Sequence, residues 1–122
     1  MITEVRHFIF QEADVQRALA TFRRNRGEPL PPGHVAGMRI DRKGDKICCI
    51  LDIDCDSNGQ RTPYAFMDDE ILPAMISYCI EKHVPLPAKS PKFLKVFGDQ
   101  LGFIVPINVN ETGLRRLQEA YF

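Results

Sequence analysis

The apolar residues of this chain change period several times, and each change marks an element. Residues 3 to 10 alternate, with Val5, His7 and Ile9 on one face and Phe8 and Phe10 on the other, which predicts a strand. From Glu12 the period lengthens. Val15, Ala18, Leu19 and Phe22 stand at i, i+3, i+4 and i+7, the stripe of an amphipathic helix. Gly27 supplies its C-terminal stop, and the proline-rich run Glu28-Pro29-Leu30-Pro31-Pro32-Gly33 cannot continue it.

Ala36, Met38 and Ile40 then alternate with Gly37, Arg39 and Asp41, Arg42-Lys43-Gly44-Asp45 turns the chain, and Ile47, Cys49, Leu51, Ile53 and Cys55 share one face. A two-residue loop at Lys43-Gly44 would pair Ile40 with Ile47 and Met38 with Cys49. Asn58-Gly59 marks the next hairpin because both positions favour positive φ. Pairing around it sets Asp56 opposite Arg61, Ile53 opposite Tyr64 and Leu51 opposite Phe66. A slip of one residue would set Tyr64 and Phe66 against aspartates. Pro63 falls opposite Asp54 in a non-hydrogen-bonded pair, which places its strand at a sheet edge or beside a gap in the ladder.

Asp68-Asp69-Glu70 opens a second helix, where acids cap and complement the positive end. Its stripe is Ile71, Leu72, Met75, Ile76, Cys79 and Ile80. Pro73 is tolerable only in the first turn, so this helix should begin at about Asp69. Val84-Pro85-Leu86-Pro87 ends it near His83, and the extended linker runs to Pro91. Leu94 and Val96 then face Phe103 and Leu101 across a Gly98-Asp99 turn. Asn110 caps a last helix with Leu114, Leu117 and Tyr121 on one side. The pattern therefore predicts one α+β domain over residues 1–122. Its order is β-α-β-β-β-α-β-β-α, with a largely antiparallel sheet and helices packed on one face.

Composition narrows the class. The 122 residues are 44% hydrophobic and 26% charged, which excludes a disordered chain or a coiled coil. A monomer of this size should expose about 6,700 Å² of the roughly 20,000 Å² of its extended chain, enough burial for one core. Sixteen basic and sixteen acidic side chains give zero formal charge, so there is no gross attraction to nucleic acid or anionic membrane, although a local patch stays open. Residues 45–70 nevertheless hold seven acids against two bases, a net of minus five. An acidic middle between basic flanks could steer two copies or a partner together. The first ten residues carry charges and no small-residue cleavage site, unlike a signal peptide. No apolar run approaches the roughly 18 residues of a membrane span. Cys48, Cys49, Cys55 and Cys79 form no Cys-x-x-Cys pair and read as buried, reduced thiols of a cytoplasmic protein.

Candidate chemistry is sparse. Asp52, Asp54, Asp56 and Asn58 alternate and end in Gly59, superficially like a calcium loop. The match fails where Arg61 and Ala65 replace the hydrophobic residue and the bidentate glutamate, and a solvated strand face with a charged hairpin tip accounts for the row better. Arg23, Arg24 and Arg26 finish the first helix, while Lys82, Lys89, Lys92 and Lys95 mark the second linker. Helix dipole, solubility and edge protection account for both clusters. Arg23, Arg24, Arg26, Lys89 and Lys92 would hold phosphate or nucleic acid only if the fold brought them together. His7, His34 and His83 have no second ligand at metal spacing. Cys48 and Ile50 point away from the core face and mark where a helix or a second copy covers the sheet. No catalytic residue and no cofactor is assigned.

Val84-Pro85-Leu86-Pro87-Ala88-Lys89-Ser90-Pro91-Lys92-Phe93-Leu94, ending in Gly98-Asp99-Gln100-Leu101, resembles a motif in a family of short uncharacterised bacterial proteins. With Gly27-Glu28-Pro29-Leu30-Pro31-Pro32-Gly33 upstream, the resemblance covers most of the chain and implies no function. The sequence thus points to a non-catalytic interaction or regulatory module that self-associates, as a homodimer, or takes a protein partner. The alternative is a nucleic-acid or phosphate ligand on the basic clusters. A third reading is a divalent-metal hydrolase on Asp52, Asp54 and Asp56.

Overall fold

The alternating and helical stretches fold in the expected order in the computed structural model, which describes residues 4–108 and 111–121, without the side chains of residues 111, 117, 120 and 121. The elements are β1 (Glu4–Ile9), α1 (Glu12–Asn25), β2 (Gly33–Lys43), β3 (Lys46–Cys55), β4 (Arg61–Met67), α2 (Asp68–Glu81), β5 (Phe93–Phe97), β6 (Gln100–Ile107) and α3 (Glu111–Tyr121). The fold is α+β. Its strands divide into two antiparallel sheets, ordered β1-β6-β5 and β2-β3-β4. The cap expected from Asn110 and the packing expected of Leu117 and Tyr121 lie outside the described residues.

The β5–β6 hairpin has the predicted register, with Leu94 opposite Phe103 and Val96 opposite Leu101. The other two hairpins are each shifted by two residues and keep the predicted faces, except that a bulge between Val35 and Gly37 turns Val35 toward the core and leaves Ala36, expected inside, exposed. Ile40 pairs with Cys49 and Met38 with Leu51, because the two-residue loop is Gly44-Asp45, with Gly44 at φ 68. Across the next turn Asp54 pairs with Arg61, Ile53 with Thr62 and Leu51 with Tyr64. Asp56 does not reach Arg61. Its N–H donates to the Pro32 carbonyl at 3.0 Å, while Gly59 N–H closes the turn on the Cys55 carbonyl at 2.8 Å. A two-residue slip costs nothing in facing, so alternation settles the face and leaves the register to the loop. Cys55 N–H donates to the Gln60 carbonyl, and alternation from that bond leaves Pro63, opposite Asp52, in a non-hydrogen-bonded pair. Its strand β4 is indeed an edge.

α1 and α2 lie against the inner faces of both sheets around one core. Val15 and Leu19 of α1, Ile71 and Met75 of α2, Leu51 of β3 and Phe103 of β6 all show 0% exposure. Each such side chain contributes about 1.5–3 kcal/mol by leaving water. On α2 the stripe is Ile71, Ala74, Met75 and Cys79, and Ile80, expected inside, is 64% exposed. The helix begins at Asp68, so Pro73 is its sixth residue and lies in the second turn, not the first. No side chain caps it through Met67. Asp68 instead accepts from the Asp69 N–H at 3.0 Å, and the acids act chiefly through the dipole. Both helices end in the same device. Glu28 N–H reaches the Arg23 carbonyl and Val84 N–H the Cys79 carbonyl, the six-to-one bond that closes a left-handed cap. Gly27 takes that conformation at φ 77, whereas at the end of α2 a histidine, His83, takes it at φ 58.

The two helices run antiparallel and are fastened at both ends. Tyr78 hydroxyl donates to Asp14 Oδ1 at 2.6 Å. At the other end Arg23 forks onto Glu70, with Nη2 to Oε1 at 3.0 Å and Nε to Oε2. These side chains are only 20% and 12% exposed. The same guanidinium covers the Phe66 ring at 4.4 Å and donates to the Ala65 carbonyl at 3.3 Å. Removing either partner strands a half-buried charge. Arg23→Ala and Glu70→Ala should each lower unfolding free energy by about 2–3 kcal/mol. In urea melts the double variant should lose clearly less than the sum of the two, with a coupling above about 1 kcal/mol. Additive losses would show that the pair is incidental.

Candidate functional site

Alternation along β3 places Asp52 and Asp54 on the outer face of the β2-β3-β4 sheet, and each meets an arginine from a neighbouring strand. Arg39 of β2 donates to Asp52 through Nε at 3.0 Å and Nη2 at 2.9 Å. Arg61 of β4 donates to Asp54 through Nε at 2.8 Å and Nη2 at 3.2 Å. These hydrogen bonds hold both carboxyls below the usual aspartate range, with the arginine charge adding to the effect. Asn58 Oδ1 accepts from the Gln60 N–H at 2.9 Å and so belongs to the turn. Among the described residues, no three His, Cys, Asp or Glu side chains are grouped to hold a metal ion. The expected ligand row of Asp52, Asp54, Asp56 and Asn58 is therefore a pair of cross-strand ion pairs followed by a turn. Two-residue spacing on a flat strand spreads carboxylates along a line, and the arginines opposite take them one by one.

Three of the five basic candidates are also occupied. Arg23 is held above its ordinary range by hydrogen bonding to Glu70, against the opposing cost of burial. Arg26 lies 3.5 Å from Glu70 and 4.0 Å from Glu28. Lys92 donates to the carbonyls of Pro87 and Ser90 at 3.0 and 3.1 Å, stapling the linker. Arg24 and Lys89 are exposed. Arg23 and Arg26 sit on Glu70, while Lys92 lines a separate depression with Asp45, Asp68 and Asp69. The polarity read along the chain is thus dismantled in space, because the fold sets basic flanks against the acidic middle.

All four cysteines are buried and free. Burial pushes the Cys49 thiol up to about 12 and raises Cys79 as well, so neither forms a thiolate nucleophile near neutrality. Cys48 is 2% exposed within the single chain, so of the two covers expected there, a helix or a second copy, the second copy is not needed to bury it.

The edge of the other sheet carries a groove that no sequence motif marks. β1 ends the order β1-β6-β5, and its free side runs beside the C-terminal end of α2. The two enclose a groove of about 460 Å³ lined by Phe8, Ile9, Phe10, Cys79 and Val84, with Asp14 and Lys82 as its charged walls. Phe8 stacks on Phe103 at 5.0 Å and Phe10 tilts against Tyr78 at 5.9 Å, so the floor is rigid aromatic packing. Phe10 N–H donates to the Leu101 carbonyl at 2.9 Å. Alternation from that bond turns the N–H groups of Arg6 and Phe8 toward β6 and those of Val5, His7 and Ile9 outward. A second depression of about 500 Å³ lies between the helices, lined by Phe22, Tyr78 and Ile80 among polar neighbours. The signal for the first groove lay in residues 3 to 10, whose apolar positions on both faces exceed what one buried face needs.

Compared with known proteins, the chain matches no family model, no curated protein and no solved structure. The site is therefore read from its own chemistry. No described helix is long and apolar enough to cross a membrane.

The two ion pairs set a pH dependence. Asp52 and Asp54 have lowered folded pKa values, so their contribution is present above the unfolded value and lost as pH falls through the folded one. Thermal stability should fall as pH drops below about 4. In Arg39→Ala/Arg61→Ala that fall should be shallower between pH 5 and 2, by calorimetry, to about the unfolded reference behaviour. An identical pH profile in the double variant would remove the pairs from the account.

Proposed function

We propose that this protein is a small, non-catalytic cytoplasmic interaction module that self-associates, most simply as a homodimer. One observation carries the reading. The large apolar side chains exposed among the described residues are Ile9, Ile80 and Val84, at 49%, 64% and 38%. Ile9 and Val84 line the β1 groove, while Ile80 opens into the separate depression between the helices. Scattered single apolar residues are ordinary on a surface, but two in one apolar groove are a patch.

Zero net charge also favours association, because it removes the long-range repulsion that keeps two copies of a charged protein apart. A catalytic role draws no support from the acids, which are held in arginine forks, or from thiols raised by burial.

Sedimentation equilibrium across low to high micromolar concentrations tests the proposal. The expected result is a weight-average mass that climbs from one chain toward two. A mass that stays at one chain throughout would overturn it.

A further inference from the structure

We infer that the groove beside β1 is a binding site for an arginine side chain presented by a partner protein. The site does not depend on self-association. It follows from the likeness of the two halves of the chain.

Residues 4–55 and 61–107 build the same unit, β-α-β-β, and each sheet joins the hairpin of one unit to the first strand of the other, β1-β6-β5 against β4-β3-β2. Residues 8–31 and 64–87 correspond one for one. The helices α1 and α2 have 14 residues each. Val15, Ala18 and Leu19 are buried on the first, and Ile71, Ala74 and Met75 on the second. Gly27 and His83 both take positive φ, and the closing bond from Glu28 to Arg23 corresponds to that from Val84 to Cys79. Pro29-Leu30-Pro31 then returns as Pro85-Leu86-Pro87.

Two equivalent grooves follow, each between an edge strand and the C-terminal end of the other unit's helix. Beside β4 the groove is filled from within. Arg23 lies 4.4 Å over the Phe66 ring, forks onto Glu70 and donates to the Ala65 carbonyl. Beside β1 the same cradle stands without an arginine. Phe10 corresponds to Phe66, Asp14 to Glu70 and Ile9 to Ala65, but Cys79 takes the place of Arg23. The Ile9 carbonyl points outward with its N–H. Tyr78 and Arg17 both approach Asp14 at Oδ1, at 2.6 and 4.0 Å, which leaves Oδ2 without a partner among the described residues. The groove of about 460 Å³ therefore offers an aromatic floor, a carboxylate oxygen and a backbone carbonyl. A planar guanidinium engages all three at once, which a compact ammonium does not. Lys82 is compatible with it, because its counterpart Arg26 shares Glu70 with Arg23 from 3.5 Å. The groove opens at the surface between Ile9 and Val84, so a side chain can enter with its main chain outside.

The experiment is an NMR titration of the full chain with N-acetyl-arginine amide, which mimics an arginine within a protein, against N-acetyl-lysine amide and free arginine. The arginine amide should shift the backbone amides of Phe10, Cys79 and Val84, saturate in the millimolar range and bind at least about threefold more tightly than the lysine amide. Val84→Glu reproduces the acid that Glu28 places beside the arginines of the other groove and should tighten binding about threefold. Asp14→Asn should weaken binding by as much. Cys79→Arg, which fills the groove from within, should abolish it. Melting temperature is the fold control, and if Asp14→Asn or Cys79→Arg melts far below the parent chain, the surface variant Val84→Glu decides. No shift at Phe10, Cys79 and Val84, equal affinity for the lysine amide, or a Val84→Glu chain that binds no more tightly would each overturn the site. Free arginine binding more tightly than its amide would overturn the protein source in favour of a small molecule.

Discussion

The contact between Arg23 and Glu70 holds the rest in place. It joins the negative end of the α1 dipole to the positive end of the α2 dipole, with an arginine and a glutamate each at the helix end that favours its charge. Because the same guanidinium covers Phe66 and reaches the Ala65 carbonyl, it also ties both helices to the edge of the β2-β3-β4 sheet. With the Tyr78–Asp14 bond at the far end, α2 has one direction available to it. That direction delivers Cys79 and Val84 to the free side of β1 and so builds the groove. An ion pair at one end of the helix thus shapes a surface at the other.

The same economy of charge runs through the molecule. An acidic middle and basic flanks suggest a polar molecule when read along the chain. Folded, Asp52 is met by Arg39, Asp54 by Arg61 and Glu70 by Arg23 and Arg26. Arginine suits this work because its planar fork engages both carboxylate oxygens. Apolar surface beside β1 is left between charged side chains, of which Asp14 already accepts from the Tyr78 hydroxyl.

The legible part of the fold was its local part. The stripe of Val15, Ala18 and Leu19, the Gly98-Asp99 hairpin and the edge position implied by Pro63 all follow from periods and turn chemistry, and all are found. The two shifted hairpins show where alternation stops: a two-residue slip leaves every side chain on its own face, so only loop geometry, such as the Asp56 bond to Pro32, decides. Ile80 was misplaced because a stripe drawn one residue too wide still satisfies helical spacing, and Ala74 fills the position instead. The division into two sheets and the groove beside β1 depend on contacts between residues some seventy positions apart, as in Phe10 and Tyr78. No pattern within a window reaches that far. Two-residue spacing shows Asp52 and Asp54 only as a row, because Arg39, which completes one of the pairs, stands opposite Ile50 and reaches Asp52 diagonally from a neighbouring strand.

The central claim is that the Arg23–Glu70 contact sets the course of α2 along its whole length. Native-state amide hydrogen exchange in Arg23→Ala measures this most directly, because Lys82 and Val84, whose N–H groups donate to the Tyr78 and Cys79 carbonyls, lie at the helix end farthest from the substitution. The account predicts faster exchange at Lys82 and Val84 in the variant than in the parent chain. Faster exchange confined to the residues around Glu70, with Lys82 and Val84 unchanged, would contradict it.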